Sequence, residues 1–190
     1  MVLQTIIFVK QMKTIARFIL RTLLGWKVEN GFPQELKKYV VIAAPHTSWL
    51  DFPIAILARM TSGTMINFIG KNSLFNGPFG FFFRGLGGTP VDRSQSNNLV
   101  DAIIEIFNSK EEFRLGLSPE GTRKKVPAWK TGYYYIAVTA KVPIISVRLD
   151  YKNKVMGISE AFYPTGDITV DEPKLRAYYK GVIGKVPAWT

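Results

Sequence analysis

The amino-acid sequence predicts an α/β fold in which a mixed, largely parallel central sheet is flanked by helices. Short apolar segments, typical of buried strands, alternate with segments of helical spacing. Glycine, proline and polar clusters separate the two kinds of segment. We expect an amphipathic helix over residues 1–26 and one α/β domain over residues 27–190, a length sufficient to bury a core.

The helices and strands are predicted from the spacing of apolar residues, from helix-capping residues, and from the glycines and prolines that interrupt regular structure. Buried strands are expected at residues 39–44 and 143–149, further strands at 64–69 and 114–117, and edge strands at 154–159 and 161–163. Helices are expected at residues 52–60, from Asn97 or Asn98 onward, at 130–140 and at 174–183. Residues 27–38 are expected to form a polar connection.

Composition restricts the classes of function. The 25 Lys and Arg residues against 14 Asp and Glu residues give a formal charge of +11, which favours an anionic partner such as nucleic acid, an anionic membrane or a phosphorylated substrate. The absence of cysteine excludes disulfides and thiol nucleophiles, and a single histidine argues against a metal site. The chain also shows no basic-aromatic motif for nucleic acid, so we expect no nucleic-acid partner.

The first 26 residues combine apolar side chains with a stripe of four cations. Lys10, Lys13, Arg17 and Arg21 recur at helical spacing and interrupt the apolar run that a spanning helix needs. A secretory signal would begin with its basic residues and end in a cleavage site of small residues, and the segment does not have this order. We expect a helix that lies in a membrane interface, with its cations toward anionic head groups and Trp26 near the boundary. The alternative is an amphipathic helix packed on its own domain with a solvated basic face.

The single histidine, His46, follows a predicted strand and precedes Asp51 by five residues. Residues five apart do not share a face of a helix, so the two side chains can meet only if a turn joins them. A carboxylate on one ring nitrogen would orient the imidazole and leave the other nitrogen free to accept a proton. The pair therefore predicts a general base and its orienting residue; the alternative is a loop histidine beside a helix N-cap.

A second loop, after the strand predicted at residues 114–117, is rich in cations. Gly121 permits close approach of the backbone, and Arg123 has the planar donor pattern that suits phosphate. Together with Lys130 and with Arg93 from an earlier loop, these residues predict an anion site. The alternative is a solvated basic loop in which Glu120 and Arg123 form a structural salt bridge.

These motifs resemble the glycerophospholipid acyltransferase family over residues 40–147. Four blocks carry the resemblance: His46 to Asp51, Gly87 to Arg93, the Glu-Gly-Thr-Arg of Glu120 to Arg123, and Val142 to Val147. The downstream lysine and glycine of the third block correspond to Lys130 and Gly132. The four blocks stand in the family's order.

The resemblance implies a membrane-associated enzyme that moves a fatty acyl group from an acyl thioester, carried by coenzyme A or acyl carrier protein, to the hydroxyl of a lysophospholipid such as 1-acylglycerol-3-phosphate. His46 would be the general base, oriented by Asp51. The residues implied to hold the polar head of the acceptor are Arg93, Glu120, Gly121, Thr122, Arg123 and Lys130. No cofactor or metal is implied, and the expected location is the cytoplasmic face of a membrane, peripheral or monotopic.

Other possibilities stay open. The acceptor could be an amino-acid lipid or another hydroxylated lipid, and a non-catalytic lipid-binding protein could keep the same fold. Ser48 and Ser118 are possible nucleophiles for an acyl-enzyme route. The phenylalanines between Gly70 and Gly88 could belong to the core, line an acyl-chain slot or face a bilayer.

Overall fold

The computed structural model of the chain describes residues 2–91 and 96–190, and the side chains of residues 10–91 and 99–190. The strands are β1 (Lys27–Glu29), β2 (Lys38–Ala44), β3 (Asn67–Lys71), β4 (Gly88–Val91), β5 (Phe113–Leu117), β6 (Ile144–Asp150) and β7 (Val155–Phe162). The α-helices are α1 (Val2–Phe18), α2 (Asp51–Ser62), α3 (Asn72–Asn76), α4 (Gly80–Gly85), α5 (Ser96–Ser109), α6 (Gly132–Thr139) and α7 (Ile168–Ala177). A π-helical turn, Ile19–Leu23, continues α1, and a 3-10 turn covers Pro187–Trp189.

The strands of the described residues form one sheet in the order β1-β7-β6-β2-β5-β3-β4. Neighbouring strands are parallel except for the antiparallel pair β6 and β7. This arrangement confirms the predicted mixed, largely parallel sheet. Because β5, β2 and β6 are adjacent and run in one direction, the loops that follow them emerge at the same edge of the sheet.

Helices cover both faces of the sheet, and β2 shows how the sequence supports this. Its side chains alternate between faces: Val40 and Ile42 pack into the core beneath α5 and α6, whereas Tyr39 and Val41 pack into the core beneath α2. All four are at most 4% exposed. A strand that is apolar on both faces is typical of a parallel sheet covered by helices on both sides.

The N-terminal helix lies against α2. Ala16 and Leu20 are 1% exposed on its packed face, whereas Arg17 and Arg21 are exposed. Among the described helices, no helix has the length and apolarity that crossing a membrane requires. The Trp26 side chain is 4% exposed and belongs to the core beneath α2, so its indole is packed inside the domain.

The C-terminal half differs from the predicted boundaries. Residues 155–162 form one strand with an irregular register beside Ile145 and Val147, and that strand is not at an edge because β1 pairs with its outer side. The last α-helix begins at Ile168, since the Asp167 side chain accepts a hydrogen bond from the Thr169 N–H and caps the first turn. Pro173, which suggested a helix start, lies inside that helix.

The glycine-rich stretch after β3 folds into α3 and α4. Phe75 is 3% exposed and packs with Phe83, whereas Phe79, Phe81 and Phe82 are 68%, 76% and 52% exposed. The stretch is therefore divided between core and surface. The segment has few charges and its apolar residues recur at no regular spacing, so the sequence does not indicate which phenylalanines are buried.

Candidate active site

Two loops that the sequence analysis singled out meet at one edge of the sheet. The loop that carries His46 follows β2, and the loop that carries Glu120 follows β5. Because β2 and β5 are parallel neighbours, with Ile42 opposite Leu117, both loops leave the sheet side by side. Carboxyl ends of parallel strands are the usual place for ligand sites in open α/β sheets.

The turn that the spacing required is present between His46 and Asp51. The imidazole Nδ1 lies 2.8 Å from Oδ2 of Asp51. The backbone N–H groups of Thr47 and Ser48 donate to that same oxygen, each at 3.0 Å. Asp51 therefore holds both the ring and the loop that presents it.

This geometry fixes the roles of the two ring nitrogens. An ionised carboxylate only accepts hydrogen bonds, so the neutral ring carries its proton on Nδ1 and leaves Nε2 as an acceptor. The imidazole side chain is 28% exposed and the Asp51 carboxylate 4%. The ring therefore faces a cleft from the surface side, while its orienting carboxylate is withdrawn from solvent.

Tyr151 is the partner that sequence reasoning missed. Its hydroxyl donates to Oδ1 of Asp51 at 2.6 Å, across 100 residues of chain. Burial, together with the hydrogen bond to Asp51, raises the pKa of the Tyr151 phenol well above its ordinary range, so the hydroxyl stays a donor. No motif surrounds Tyr151, and a contact at this sequence separation leaves no local pattern.

Glu120 supports the histidine loop from the opposite side. Its Oε2 accepts the backbone N–H of His46 at 2.6 Å and the Ser118 hydroxyl at 3.2 Å. Burial raises the pKa of the Glu120 carboxyl, while these two hydrogen bonds act in the opposite direction. The structure thus places the Glu120 carboxylate against the backbone of His46, a position from which it fixes the loop.

The other members of the second loop line one cleft with His46. This cleft has a volume of about 850 Å³, and Gly121, Thr122, Arg123 and Lys130 all border it. All four are exposed. Arg93, the remaining predicted cation, lies outside the described residues.

Gly121 has a specific reason to be glycine. Its φ is +65°, a region that side-chain-bearing residues seldom adopt. A Cβ at this position would also lie 2.8 Å from Cε of Lys130. The lysine stem therefore lies directly over the glycine backbone, which draws these two parts of the loop together.

The cleft combines this cationic rim with apolar walls. Its apolar lining comes from both sides of the sheet edge: Phe52, Phe68, Ile69, Leu99, Val100, Ile103, Leu117, Ile136 and Trp189. A second cavity of about 190 Å³ also borders His46 and continues between α2 and the sheet, lined by residues such as Val41, Ala55 and Met156. One imidazole therefore borders positive charge, an apolar wall and an apolar cavity.

The two serines named as possible nucleophiles are engaged elsewhere. Oγ of Ser48 accepts the Leu50 N–H at 3.2 Å, and the Ser118 hydroxyl donates to Glu120. Across the described part of the chain, neither hydroxyl is hydrogen-bonded to the imidazole. The exposed phenylalanines of α4 do not border the cleft either; its aromatic wall comes instead from Phe52, Phe68, Tyr133 and Trp189.

Comparison with known proteins gives consistent relatives. The model of the family described as Acyltransferase matches residues 25–150. The 1-acyl-sn-glycerol-3-phosphate acyltransferase beta of Homo sapiens is 25% identical over 171 residues, which are 85% of this chain and 61% of that protein. The 1-acyl-sn-glycerol-3-phosphate acyltransferase of Escherichia coli strain K12 is 30% identical over 136 residues, 67% of this chain and 54% of that protein.

A solved structure shows the same fold. The 1-acyl-sn-glycerophosphate (LPA) acyltransferase PlsC of Thermotoga maritima superposes with a TM-score of 0.62 and 22% identity, over 93% of this chain and 81% of that one. At this level of identity the likeness extends to the architecture alone. The chain spans 61% and 54% of the lengths of the two curated relatives described above.

Proposed function

Because the chain belongs to the acyltransferase family, we propose that it transfers a fatty acyl group from an acyl thioester to the hydroxyl of a lysophospholipid such as 1-acylglycerol-3-phosphate. The observation that carries this proposal is the oriented imidazole of His46: its Nε2 is free of the Asp51 contact, and the residue borders a cleft that is both cationic and apolar. A binding protein has no need of an oriented base. Two relatives bear names that state the same type of reaction.

In the proposed reaction, Nε2 of His46 takes the proton of the acceptor hydroxyl while that oxygen attacks the thioester carbonyl carbon. The tetrahedral intermediate then collapses, the C–S bond breaks, and the departing thiolate receives the proton from Nε2. Asp51 stabilises the transient imidazolium and keeps the ring in place. The proposed donor is a fatty acyl thioester of coenzyme A or of acyl carrier protein, and the proposed reaction needs no metal and no further cofactor.

We propose that the acceptor head group binds at the rim of the cleft. Arg123 offers paired N–H donors and Lys130 an ammonium group, and the exposed residues Gly121 and Thr122 allow close approach of a phosphate. Arg93 is proposed to join them. For Glu120, the hydrogen bond to the His46 N–H favours a role in holding the loop, with the head group bound by its cationic neighbours.

The apolar part of the cleft and the adjoining cavity are the proposed place of the acyl chains. Phe68 and Leu117 border both spaces, and His46 stands where the two meet. A thioester carbonyl held at His46 could therefore extend its chain away from water. Burial of each methylene contributes about 0.8 kcal/mol, so an apolar wall of this kind supports binding of a fatty acyl group.

Membrane association is proposed from two surfaces. On the N-terminal helix the cations Lys10, Arg17 and Arg21 share the exposed side with Ile15 and Phe18, which are 52% and 55% exposed. The phenylalanines Phe79, Phe81 and Phe82 form the second surface. Cations attract anionic head groups and exposed aromatic rings enter the interface, so we place the protein on the cytoplasmic face of a membrane, peripheral or monotopic.

The test uses the purified chain with palmitoyl-CoA or palmitoyl acyl carrier protein and a panel of lysophospholipids, amino-acid lipids and other hydroxylated lipids. We expect thiol release and a new diacyl lipid, identified by mass spectrometry, with a lysophospholipid acceptor. His46→Ala should lower kcat by about 10³-fold or more while the circular dichroism spectrum is unchanged. Lipid binding without thiol release from any donor and acceptor would instead establish a non-catalytic lipid-binding protein.

The membrane contact is tested separately by vesicle sedimentation. Replacing Lys10, Lys13, Arg17 and Arg21 by Gln should weaken binding to vesicles that contain phosphatidylglycerol, and most at low salt, because surface charges are screened above about 0.1 M salt. Replacing Phe79, Phe81 and Phe82 by Ser should weaken binding at every salt concentration. Undiminished binding by both variants would assign the contact to another surface.

A further inference from the structure

Asp51 has two oxygens with different surroundings. Oδ2 accepts three hydrogen bonds, from the imidazole of His46 and from the N–H groups of Thr47 and Ser48. Oδ1 accepts one, from the Tyr151 hydroxyl at 2.6 Å. All the ties to the histidine loop therefore converge on one oxygen, and the carboxylate could pivot about that oxygen if nothing held the other.

Tyr151 is itself held firmly enough to hold Oδ1. It follows β6, which lies beside β2 with Arg148 opposite Ala44, so the end of β6 reaches the histidine loop. Its N–H donates to the carbonyl of Ile183 at 2.8 Å. Its ring is packed edge to face by Trp26, with centroids 4.9 Å apart and planes at 89°.

The charged neighbours of this contact come from three elements. Asp51 lies at the start of α2 and the Glu120 carboxylate lies against the backbone of His46 from the loop after β5. From the C-terminal segment, the Lys185 ammonium lies 6.0 Å from the centre of the Tyr151 ring. Only the Tyr151 hydroxyl reaches Oδ1 among the described residues.

We propose that Tyr151 is a positioning residue that acts through Asp51: its hydroxyl holds Oδ1 in place and shares the charge of the carboxylate, so that His46 both keeps its orientation and releases its proton readily. The role assigned to Tyr151 rests on the proposed function of His46 as general base. Without the phenol, the same carboxylate would concentrate its charge on the imidazolium, which then forms at higher pH. The base would be less well oriented and would hold its proton more tightly.

The single histidine permits a test that needs no enzyme activity. Proton NMR of the imidazole C–H signals of the full chain reports on His46 alone, so its titration can be compared in the wild type and in Tyr151→Phe. Because the three contacts to Oδ2 remain, we expect the titration midpoint of the variant to rise by about half a pH unit. An unchanged or lowered midpoint would overturn the role assigned to Tyr151.

Tyr134→Phe is the matched control. The Tyr134 hydroxyl also donates to a buried aspartate, Asp171, at 2.7 Å, and the other hydrogen bonds of this pair among the described residues go to Thr165 and Gly166. We expect Tyr134→Phe to leave the His46 titration unchanged, so that a general loss of packing is separated from a loss at Oδ1. An equal rise in both variants would assign the effect to structure alone and reject the positioning role.

Kinetics with palmitoyl-CoA and 1-acylglycerol-3-phosphate provide a second readout. Tyr151→Phe should lower kcat about threefold to tenfold, leave both KM values within about twofold, and move the acid limb of the pH–rate profile upward. In an Asp51→Asn background the same change should have little further effect, because the two residues act in series. Full additivity would overturn the proposal.

If His46→Ala keeps its activity, the general-base proposal fails by itself, while the NMR comparison still decides whether Tyr151 acts on His46.

Discussion

Within the described residues, two buried aspartates each accept a hydrogen bond from a tyrosine hydroxyl, and the two pairs differ in their surroundings. Tyr151 donates to Asp51 at 2.6 Å, and Tyr134 donates to Asp171 at 2.7 Å. The two aspartates are 3% and 0% exposed. Each also accepts backbone N–H groups, from Thr47 and Ser48 in the first pair and from Thr165 in the second.

The two pairs differ in which oxygens accept and in the last donor. Tyr151 and the histidine loop donate to different oxygens of Asp51, whereas Tyr134 and Thr165 donate to the same oxygen of Asp171. The further donor to Asp51 is the imidazole of His46, which borders an open cleft, whereas the further donor to Asp171 is the Thr165 hydroxyl at 3.0 Å. The Lys174 ammonium lies 3.9 Å from the other oxygen of Asp171. A hydroxyl at this position can only stabilise the fold, while an imidazole can take up and release a proton near neutral pH. A buried carboxylate that accepts a tyrosine hydroxyl therefore stabilises the fold at Asp171, whereas at Asp51 we propose that it also supports proton transfer by His46.

Replacing each aspartate by asparagine should produce the largest difference between the two pairs. Asp51→Asn should lower kcat by about 10³-fold, because the amide cannot stabilise an imidazolium and its NH₂ group would favour the wrong tautomer. Asp171→Asn should leave kcat within about twofold when assayed below its unfolding temperature. Thiol-release assays of both variants provide the measurement. Similar losses in both would show that the two pairs do not differ in function.

The next largest effect is on the free energy of unfolding, and we expect it from changes at Asp171 in the second pair. Although burial opposes ionisation, the hydrogen bonds from Tyr134 and Thr165 lower the pKa of the Asp171 carboxyl below its ordinary value. A lowered pKa in the folded state stabilises the fold above the unfolded pKa of about 3.9, and this stabilisation is lost as the pH falls through the folded-state pKa.

We therefore expect Asp171→Asn to lower the free energy of unfolding at pH 7 by about 2 kcal/mol. Its difference from the wild type should shrink below about pH 4. Urea unfolding followed by tryptophan fluorescence at several pH values measures both quantities. A difference that is constant with pH would assign the loss to packing rather than to the charge of Asp171.

The smallest of the three effects separates the proposed proton transfer at His46 from the proposed substrate binding beside it. Arg123 borders the cleft, whereas Lys125, two residues later, is exposed and does not. Arg123→Ala should raise the KM for a phosphorylated acceptor about tenfold with little change in kcat, because a phosphate contact is made equally in ground state and transition state. Lys125→Ala should change the KM by less than about twofold. Equal effects of the two variants would indicate a diffuse electrostatic attraction without a defined phosphate site.

Much of this architecture was predictable because it follows from local pattern. The apolar run of β2, the helix start at Asp51 and the spacing of His46 are features of adjacent residues, and each has a direct physical meaning in the sequence. Strand Gly88–Val91 and strand Lys27–Glu29 were missed because both are short edge strands, in which pairing with a neighbour outweighs weak local preference. The last helix was misplaced because Pro173 resembles a helix start, whereas the cap that operates is Asp167.

Sequence by itself determined the chemical inventory: one imidazole, a carboxylate five residues away that needs a turn to reach it, and a cationic loop with Gly121 after another strand. These are statements about residue types at short spacing, and short spacing limits which side chains can meet. Tertiary structure alone decided that Tyr151 holds the far oxygen of Asp51, that Glu120 faces the backbone of His46, and that Trp26 lies in the core. Those contacts span long separations along the chain, and they exist only because parallel pairing of β5, β2 and β6 brings the ends of these strands to one edge.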